Sequence, residues 1–291
     1  MASIPFERVK AYRKDTFRLL PGQRLASAEE AVQFVNQRGF IFFWPIKDIT
    51  LPNLWVAVAG DRPVADQHDD PGHVTWGWKD GLLGQRCWYY AKVLRKKATM
   101  ISLERAPHFY ALSHNYGAPD EDYLTLYEQG QLTQEAKTVY ETLLHEGPLN
   151  TVALRKATRM SNRESDSRFN RALADLQADF KILPTGVAKA GAWNYAFIYE
   201  ITSRHYPELP DVAHAISERE ARQQLLGDYF RSLGAAQPGE VQRLFGWGKA
   251  SNEKAIESLV SSGQIIRNIQ VAGQIGDWLA LKELVEEENW S

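Results

Sequence analysis

The sequence has a single cysteine, almost no excess charge and no long apolar run. Cys87 is the only cysteine among the 291 residues, which excludes an internal disulfide and a zinc site built from several thiolates. The formal net charge of −2 gives no overall attraction to nucleic acid or to an anionic membrane. No apolar stretch reaches the roughly 18 residues of a membrane span, and the N-terminal segment lacks a signal-peptide pattern. We therefore expect a cytoplasmic protein without a membrane partner, in which any nucleic-acid site depends on local basic segments.

Common catalytic and nucleotide-binding signatures are also missing. The sequence contains no P-loop, no G-x-S-x-G, no H-E-x-x-H and no dinucleotide glycine fingerprint. The stretch from His68 to His73 holds two histidines and two aspartates, but consecutive ligands on a flexible loop make a poor preformed metal site. We favour a polar turn at this stretch, and we expect no metal and no cofactor.

What the sequence does contain is the composition of a globular protein, arranged in three blocks with a similar order of elements. Hydrophobic residues make up 44% and charged residues 24% of the chain. In the second block, Thr133 caps a helix that ends at Gly147, a short helix follows, and Ser161 or Asn162 opens a third helix. Two β-type runs, 181–184 and 193–201, complete the block. Three helices followed by a two-stranded hairpin is the order of a winged helix.

The other two blocks follow this order with different regularity. The third block has predicted helices near 217–233, 239–245 and 252–261, and a hairpin over 264–281. In the first block, 28–36 is a helix, 39–45 is a strand or a buried helical segment, 61–75 is a polar loop, and 88–93 and 98–103 form a hairpin.

The blocks together predict an α+β fold, mainly α, with three tandem winged helix-turn-helix units. The first domain, 1–118, contains a lead-in and the first unit. The second is 119–210, and the third is 211–291, ending in an acidic tail that includes Glu283, Glu286, Glu287 and Glu288. Because each unit alone is too small to bury much apolar surface, we expect the three to pack around a shared face.

Two basic segments are candidates for contacts with DNA phosphates or base edges. Their residues are Lys92, Arg95, Lys96 and Lys97 around the first hairpin tip, and Arg159, Arg163, Arg168 and Arg171 around the third helix of block two. Both segments are also consistent with ordinary solvated surfaces. Aromatic residues beside lysines are candidates for stacking on a base, namely Trp44, Trp78 and Tyr90. For these aromatic residues we favour the alternative, a place in the core.

Four phrases of the sequence resemble a known family. HEGPLNTVALRKATR, ALADLQADFKILPTG, AFIYEITSRHYPEL and GDWLALKELVE are similar to stretches of the AlkZ-like (YcaQ-type) winged-helix DNA glycosylases, and the resemblance covers nearly the whole chain. That family excises alkylated bases and unhooks interstrand crosslinks. The resemblance therefore implies double-stranded DNA, including damaged DNA, as the partner, and a nucleoid-associated location in the cytoplasm.

Two departures from the family concern its chemistry. Its catalytic motif, Gln-hydrophobic-Gln or Gln-hydrophobic-Asp, aligns with a stretch in which Phe43 and Pro45 take the two polar positions. Neither side chain can activate water, and the nearest carboxylate is Asp48, which is either catalytic or a surface ion-pair partner or helix cap. Family members also continue into a C-terminal β-rich domain beyond the third block, so the resemblance implies a shortened relative.

Three functions remain open at this stage. The first is a DNA-binding protein that lacks the standard catalytic motif. The second is an active DNA glycosylase that uses Asp48, or another acid such as Asp80. The third is a winged-helix scaffold that binds proteins, which the near-neutral charge permits.

Overall fold

The chain folds as an α+β protein in which helices predominate, in a computed structural model that describes residues 2–286. Residues 2–128 form, in chain order, β1 (Ser3–Pro5), α1 (Phe6–Thr16), α2 (Ala28–Arg38), β2 (Phe40–Phe42), α3 (Leu54–Ala59), α4 (Val74–Leu82), β3 (Tyr89–Ala91), β4 (Thr99–Ile101), α5 (Ala106–Tyr110) and α6 (Pro119–Glu128). Residues 134–286 form α7 (Gln134–Glu146), β5 (Leu149–Asn150), α8 (Thr151–Ala157), α9 (Asp166–Ala178), β6 (Ile182–Ala188), β7 (Ala196–Ile201), α10 (Thr202–His205), α11 (Leu209–His214), α12 (Glu218–Leu233), β8 (Ala235–Ala236), α13 (Pro238–Phe245), α14 (Lys249–Ser261), β9 (Ile265–Ala272), β10 (Trp278–Leu281) and α15 (Lys282–Glu286).

These elements divide into two units, each built from separate stretches of the chain. Unit 1 contains the residues up to Trp78, Met100–Arg105 and the residues from Arg219 onward. Unit 2 contains Lys79–Thr99 and Ala106–Glu218. The three domains predicted from the sequence, with limits at residues 118 and 210, remain a prediction. Of the acidic tail, Glu283 and Glu286 lie in α15, whereas Glu287 and Glu288 lie outside the part that the structure describes.

Unit 1 contains a four-stranded sheet in the order β1-β9-β10-β8. The hairpin predicted over 264–281 is confirmed as β9 and β10, which pair antiparallel with Trp278 opposite Ile269. Strand β1 pairs parallel to β9, with Ser3 opposite Gln270, and it was not predicted from the sequence. A three-residue strand has too little pattern to be recognised, and only the distant strand beside it defines it.

A buried ion-pair cluster holds the middle of α12 in unit 1. Asp228, only 5% exposed at its side chain, accepts a hydrogen bond of 2.6 Å from Arg105 Nε and a second one from Arg231. Gly39 lies against the carboxylate at φ +80°, where an added Cβ would be 3.1 Å from Asp228 Cγ. Positive φ and this close approach both require glycine at position 39.

The stretch 61–75, predicted as a polar loop, is partly helical, so that prediction was wrong for its C-terminal end. Pro71–His73 forms a 3-10 turn that leads directly into α4. The cause is local capping, because the Asp70 side chain accepts from Gly72 N at 2.8 Å and Pro71 occupies the first helical position.

Unit 2 contains three helices followed by two strands, in the order predicted for block two. Thr133 caps α7 by accepting from Ala136 N at 3.2 Å, and Gly147 ends the helix at φ +81°. Of the two candidates for the start of the third helix, Asn162 caps the 3-10 turn Arg163–Ser165 that leads into α9, since its side chain accepts from Ser165 N at 2.9 Å. The sheet has the order β5-β7-β6.

The apolar stripe predicted for the third helix is buried in unit 2. Phe169, Leu173 and Leu176 of α9 are at most 4% exposed, as their spacing of i, i+4 and i+7 requires for one helix face. They share a core with residues of α7, of α8 and of the two long strands, including Val139, Tyr140, Leu143, Leu154, Ile182, Tyr199 and Ile201.

Next to the C-terminal end of α9, three ionisable groups tie the stretch after α5 to the helix. Asp179 accepts from both the backbone and the ring of His114 at 2.9 Å, and it lies 3.2 Å from the buried ammonium of Lys181. Burial alone would raise the pKa of Asp179, but the hydrogen bond from His114 and the charge of Lys181 outweigh it and lower the pKa. The same hydrogen bond raises the pKa of His114.

These shifts predict how the stability of the protein depends on pH. Because the pKa of His114 is raised in the folded protein, its protonation stabilises the fold. This contribution is fully present below the ordinary histidine pKa of 6.5 and is lost as pH rises through the folded-state pKa. Because the pKa of Asp179 is lowered, its ionised form stabilises the fold. This contribution is present above the ordinary aspartate pKa of 3.8 and is lost as pH falls through the folded-state pKa. We therefore expect the melting temperature to fall on both sides of this window. His114→Gln should flatten the alkaline fall and also change the acid fall, because the His114 ring helps to lower the pKa of Asp179. An alkaline limb unchanged in His114→Gln would contradict the assignment.

Candidate nucleic-acid interface

The first predicted DNA-contacting segment forms a tight turn in unit 2. Leu94–Lys96 is a single 3-10 turn, in which Arg95 and Lys96 both have φ of 55°. Side chains other than glycine adopt this left-handed conformation at a cost, which the surrounding structure must offset. Arg95 and Lys97 are exposed and form no ion pair with any residue of 2–286. The turn therefore presents two unneutralised cations to solvent.

The structure brings this turn against α9. Lys96 forms an ion pair with Asp175, and Lys92 N donates to the buried Gln177 Oε1 at 3.1 Å. Partial burial, followed by the positive charge of Lys97, lowers the pKa of Lys92. The two contacts lie on the C-terminal half of α9, so the turn packs against the helix whose N-terminal half follows the second basic segment.

The second predicted segment is exposed around the N-terminal half of α9. Between residues 155 and 171 there are six cations and two acids, Glu164 and Asp166, so the stretch has a local net charge of +4. Arg155 is bound in the fold, at 2.5 Å from Asp166 and 4.3 Å above the ring of Phe169. Arg168 is paired with Glu135 at 3.1 Å. The other four cations are exposed and have no ion pair within the described part of the chain: Lys156, Arg159, Arg163 and Arg171.

The three candidate stacking residues have different environments. In unit 1, the Trp44 ring lies parallel to that of Trp55 with 5.8 Å between centroids, and Trp76 meets it edge-on at 5.7 Å. Trp78 is half-buried in α4. Tyr90, in unit 2, is only 8% exposed, and burial raises the pKa of its hydroxyl well above the ordinary value. Trp44 and Tyr90 thus pack among protein side chains in this conformation, and their role in stacking on bases is untested.

Unit 2 contains a buried polar cluster that was not predicted from the sequence. The Lys79 side chain is 1% exposed, and its ammonium lies 2.5 Å from Asp80 and 2.9 Å from the Tyr195 hydroxyl. Tyr195 in turn donates to Asp80 Oδ1 at 2.9 Å. Residues 79 and 195 are too far apart in sequence for any local pattern to predict this contact. The cluster fixes the start of β7, next to Trp193, whose side chain is 89% exposed.

The proposed catalytic stretch is in unit 1. Phe43 is buried at 2% exposure, whereas Pro45 and Asp48 are exposed. Asp48 has φ of 61° in a turn between the paired residues Ile46 and Ile49, and its backbone carbonyl accepts from Arg243 at 3.1 Å. The helix after this stretch, α3, is capped by Asn53. Asp48 is therefore not a helix cap, and its carboxylate has no ion-pair partner in residues 2–286.

The stretch from His68 to His73 is organised by hydrogen bonds. Arg62 binds both carboxylate oxygens of Asp70, at 2.6 and 3.0 Å, and His73 Nε2 lies 2.9 Å from Ala65 O. Within residues 2–286, no group of three or more histidine, cysteine, aspartate or glutamate side chains is arranged to hold a metal ion. In the same part of the chain, no helix is both long and apolar enough to cross a membrane.

Comparison with known proteins agrees with the similarity seen in the sequence. The structure matches the Streptomyces sahachiroi DNA glycosylase AlkZ with a TM-score of 0.60 and 13% sequence identity, over 97% of this chain and 71% of that one. At this identity the match shows a shared fold. No curated protein sequence matches the chain. The model of the AlkZ-related family matches residues 25–246, which is most of the chain, and the protein therefore belongs to the AlkZ-related family.

Proposed function

We propose that this protein binds double-stranded DNA, including damaged DNA, through tandem winged helix-turn-helix units, and that it lacks the standard catalytic motif of the DNA glycosylases. The observation that supports this most directly is the exposed positive charge of unit 2. The turn around Arg95 and the segment around the N-terminal half of α9 both expose cations that no acid of the described chain neutralises.

The charge distribution supports a phosphate-binding role. The whole chain is slightly acidic, yet the stretch 155–171 has a net charge of +4. Exposed lysine and arginine side chains near DNA release condensed counterions from the phosphates, which makes binding favourable and strongly dependent on salt. A region of this kind can bind DNA while the remaining surface keeps the protein soluble.

Membership of the AlkZ-related family supports damaged DNA as the partner, and a nucleoid-associated location in the cytoplasm follows from that partner. The structural similarity to a DNA glycosylase points in the same direction. The three-helix and hairpin order of unit 2 supports the winged-helix assignment, in which α9 takes the place of the helix that enters the major groove.

The first experiment measures DNA affinity across a salt series. Replacing Arg95, Lys96 and Lys97 together with alanine should weaken binding to all sequences and reduce the slope of log K against log salt by about 2 to 3. The matched control is Asp175→Asn, which releases Lys96 from its ion pair and keeps all three cations. The control should bind as well as the unmodified protein or better.

The same measurement separates DNA binding from a protein-interaction scaffold. A scaffold would show no salt-dependent affinity for duplex DNA at all. Binding that is present but identical in the triple variant would remove this turn from the interface and leave α9 as the remaining candidate.

We also expect no strong base excision. Base excision needs a polar group within hydrogen-bond reach of the attacking water, and Phe43 offers no lone pair while Pro45 lacks even its backbone N–H. The test incubates the protein with alkylated or crosslinked duplex DNA and measures abasic sites. Robust excision would overturn this expectation. If that excision were lost in Asp48→Asn, the exposed Asp48 would be the acid that replaces the motif; if it survived, another acid such as Asp80 would be next.

A further inference from the structure

The hairpin of β6 and β7 in unit 2 has a large aromatic side chain at its tip. Trp193 lies in the turn between the two strands and is 89% exposed. An indole ring has one of the largest apolar surfaces of any side chain, so leaving it in water forgoes a large favourable contribution from burial. The ring is therefore available to pack against a partner.

The backbone on both sides of Trp193 is held in place. Asn194 N donates to Gly191 O at 3.1 Å, and both residues have positive φ, of 51° and 78°. The residue after this turn, Tyr195, belongs to the buried polar cluster around Lys79, whose ammonium lies 2.9 Å from the tyrosine hydroxyl. Because the turn is already ordered, fewer degrees of freedom are lost when the ring meets a partner.

The elements that hold Trp193 expose positive charge. The hairpin stretch 182–199 contains one cation, Lys189, and no acid. The tip also reaches the start of α8, since a Cβ added at Gly191 would be 3.4 Å from Val152 Cγ2. Lys156 follows Val152 by one helical turn and so lies on the same side of α8. Both lysines are exposed and form no ion pair with the residues that the structure describes.

The third block repeats this turn with a different charge. Residues 272–276, Ala-Gly-Gln-Ile-Gly, match residues 190–194, Ala-Gly-Ala-Trp-Asn, with glycine at φ 78° in both turns and positive φ again at the fifth position. The fourth residue of the repeat, Ile275, is 93% exposed. Its tip, 273–277, contains Asp277 and no lysine or arginine. Both turns therefore expose one apolar side chain, but only the turn of Trp193 combines it with positive charge.

We propose that Trp193 enters the minor groove of duplex DNA and packs between two neighbouring base pairs, with Lys189 and Lys156 at nearby phosphates. The flat ring fits the face of a base, and the cations fit the phosphates that border the groove. An apolar side chain inserted in this way separates two base pairs and kinks the duplex by roughly 20–90°. The inference rests on the proposed function, since it takes duplex DNA as the partner. No covalent step is involved.

The test measures the kink and the affinity with one duplex that carries a fluorescence donor and an acceptor at its two ends. The unmodified protein should raise the energy transfer between the ends. Trp193→Ala should abolish this rise and weaken binding by about 10-fold, because the stacking contact is lost. The slope of log K against log salt should stay unchanged, since the side chain has no charge. Trp193→Phe, which keeps an aromatic ring, should retain most of the kink.

The charge at the tip is tested separately. Lys189→Ala should lower the salt slope by about 0.9, the contribution of one phosphate contact, and leave the kink in place. The two variants thus change different quantities if the ring and the lysine have the proposed roles. A kink that persists in Trp193→Ala would overturn the proposal.

The matched control is Ile275→Ala, which truncates an equally exposed side chain on the same type of turn. It should change neither the kink nor the affinity. Equal losses in Ile275→Ala and Trp193→Ala would overturn insertion by Trp193, because they would reflect exposed apolar area in general. Both truncations remove side chains that lie almost entirely in solvent, so the fold should be unaffected.

Two further outcomes separate this inference from the proposed function. Salt-dependent binding to duplex DNA without any kink, unchanged in Trp193→Ala, would overturn the insertion while DNA binding stands. Self-association in sedimentation velocity that Trp193→Ala abolishes, with DNA binding unchanged, would place a second copy of the chain on the ring instead. No binding of the duplex at any salt concentration would overturn both proposals.

Discussion

Replacing Asp228 with alanine is expected to lower the free energy of unfolding by about 3–5 kcal/mol, because it leaves a buried ion pair without one partner. The carboxylate is 5% exposed and is bound by Arg105 and Arg231, and the Arg105 side chain is itself only 16% exposed. Without Asp228, the Arg105 guanidinium would stay largely out of water with Glu104, a mostly exposed residue, as its remaining acidic partner. Chemical denaturation followed by circular dichroism measures the change.

The matched control is Glu253→Ala, which removes a partner of Arg267 from a more exposed pair. Exposed ion pairs contribute about 0–1 kcal/mol, so this variant should unfold close to the unmodified protein. A loss below about 1 kcal/mol for Asp228→Ala would mean that water reaches Arg105 and that the cluster is not a determinant of stability.

Replacing Lys156, Arg159, Arg163 and Arg171 together with alanine is expected to weaken DNA binding by about 100- to 1,000-fold at 0.15 M salt. Each phosphate contact contributes about 0.9 to the slope of log K against log salt, so four contacts account for a slope of about 3.6 and for nearly three decades of affinity. Because all four side chains are exposed and unpaired in the described part of the chain, their removal should leave the fold intact. Fluorescence anisotropy over a salt series measures both quantities.

The control variant removes a negative charge instead of positive charges. Glu164 lies among these cations, is exposed and forms no ion pair with another described residue. Glu164→Gln removes a negative charge next to the phosphates and should strengthen binding modestly. Affinity lost in both variants would indicate a disturbed local fold rather than lost phosphate contacts, and unchanged affinity in the fourfold variant would exclude the surface formed by the end of α8 and the N-terminal half of α9.

Local signals in the sequence predicted the elements of unit 2 well. The cap at Thr133, the stop at Gly147 and the apolar spacing of Phe169, Leu173 and Leu176 depend on neighbours within a few turns of one helix. The hairpin of β9 and β10 was likewise marked by its alternating residues and by its glycine turn. Such features depend on residues that are close in the chain, so they can be predicted from a single sequence.

Prediction from composition was wrong where a short capping motif starts a helical turn inside a polar stretch. The polar stretch up to Thr75 was predicted to be a loop, yet Asp70 and Pro71 start a helical turn there. For Asp48 the sequence left open a cap, an ion pair or catalysis, whereas in the structure Asn53 is the cap of α3. Both residues precede the helix, and only the backbone conformation of Asn53 directs its side chain to the helix N-terminus.

In the candidate sites, too, some features follow from the sequence and others only from the tertiary structure. From its residues alone the sequence determined which stretches are basic and where several helices start and stop. Only the tertiary structure decided that Lys96 is neutralised by Asp175 while Arg95 is not, and that Lys79 is buried with Asp80 and Tyr195. It also placed the hairpin tip that exposes Trp193 beside the start of α8. The physical reason is that burial and charge pairing depend on groups far apart in the chain, whose proximity is set by packing of the whole unit rather than by local propensity.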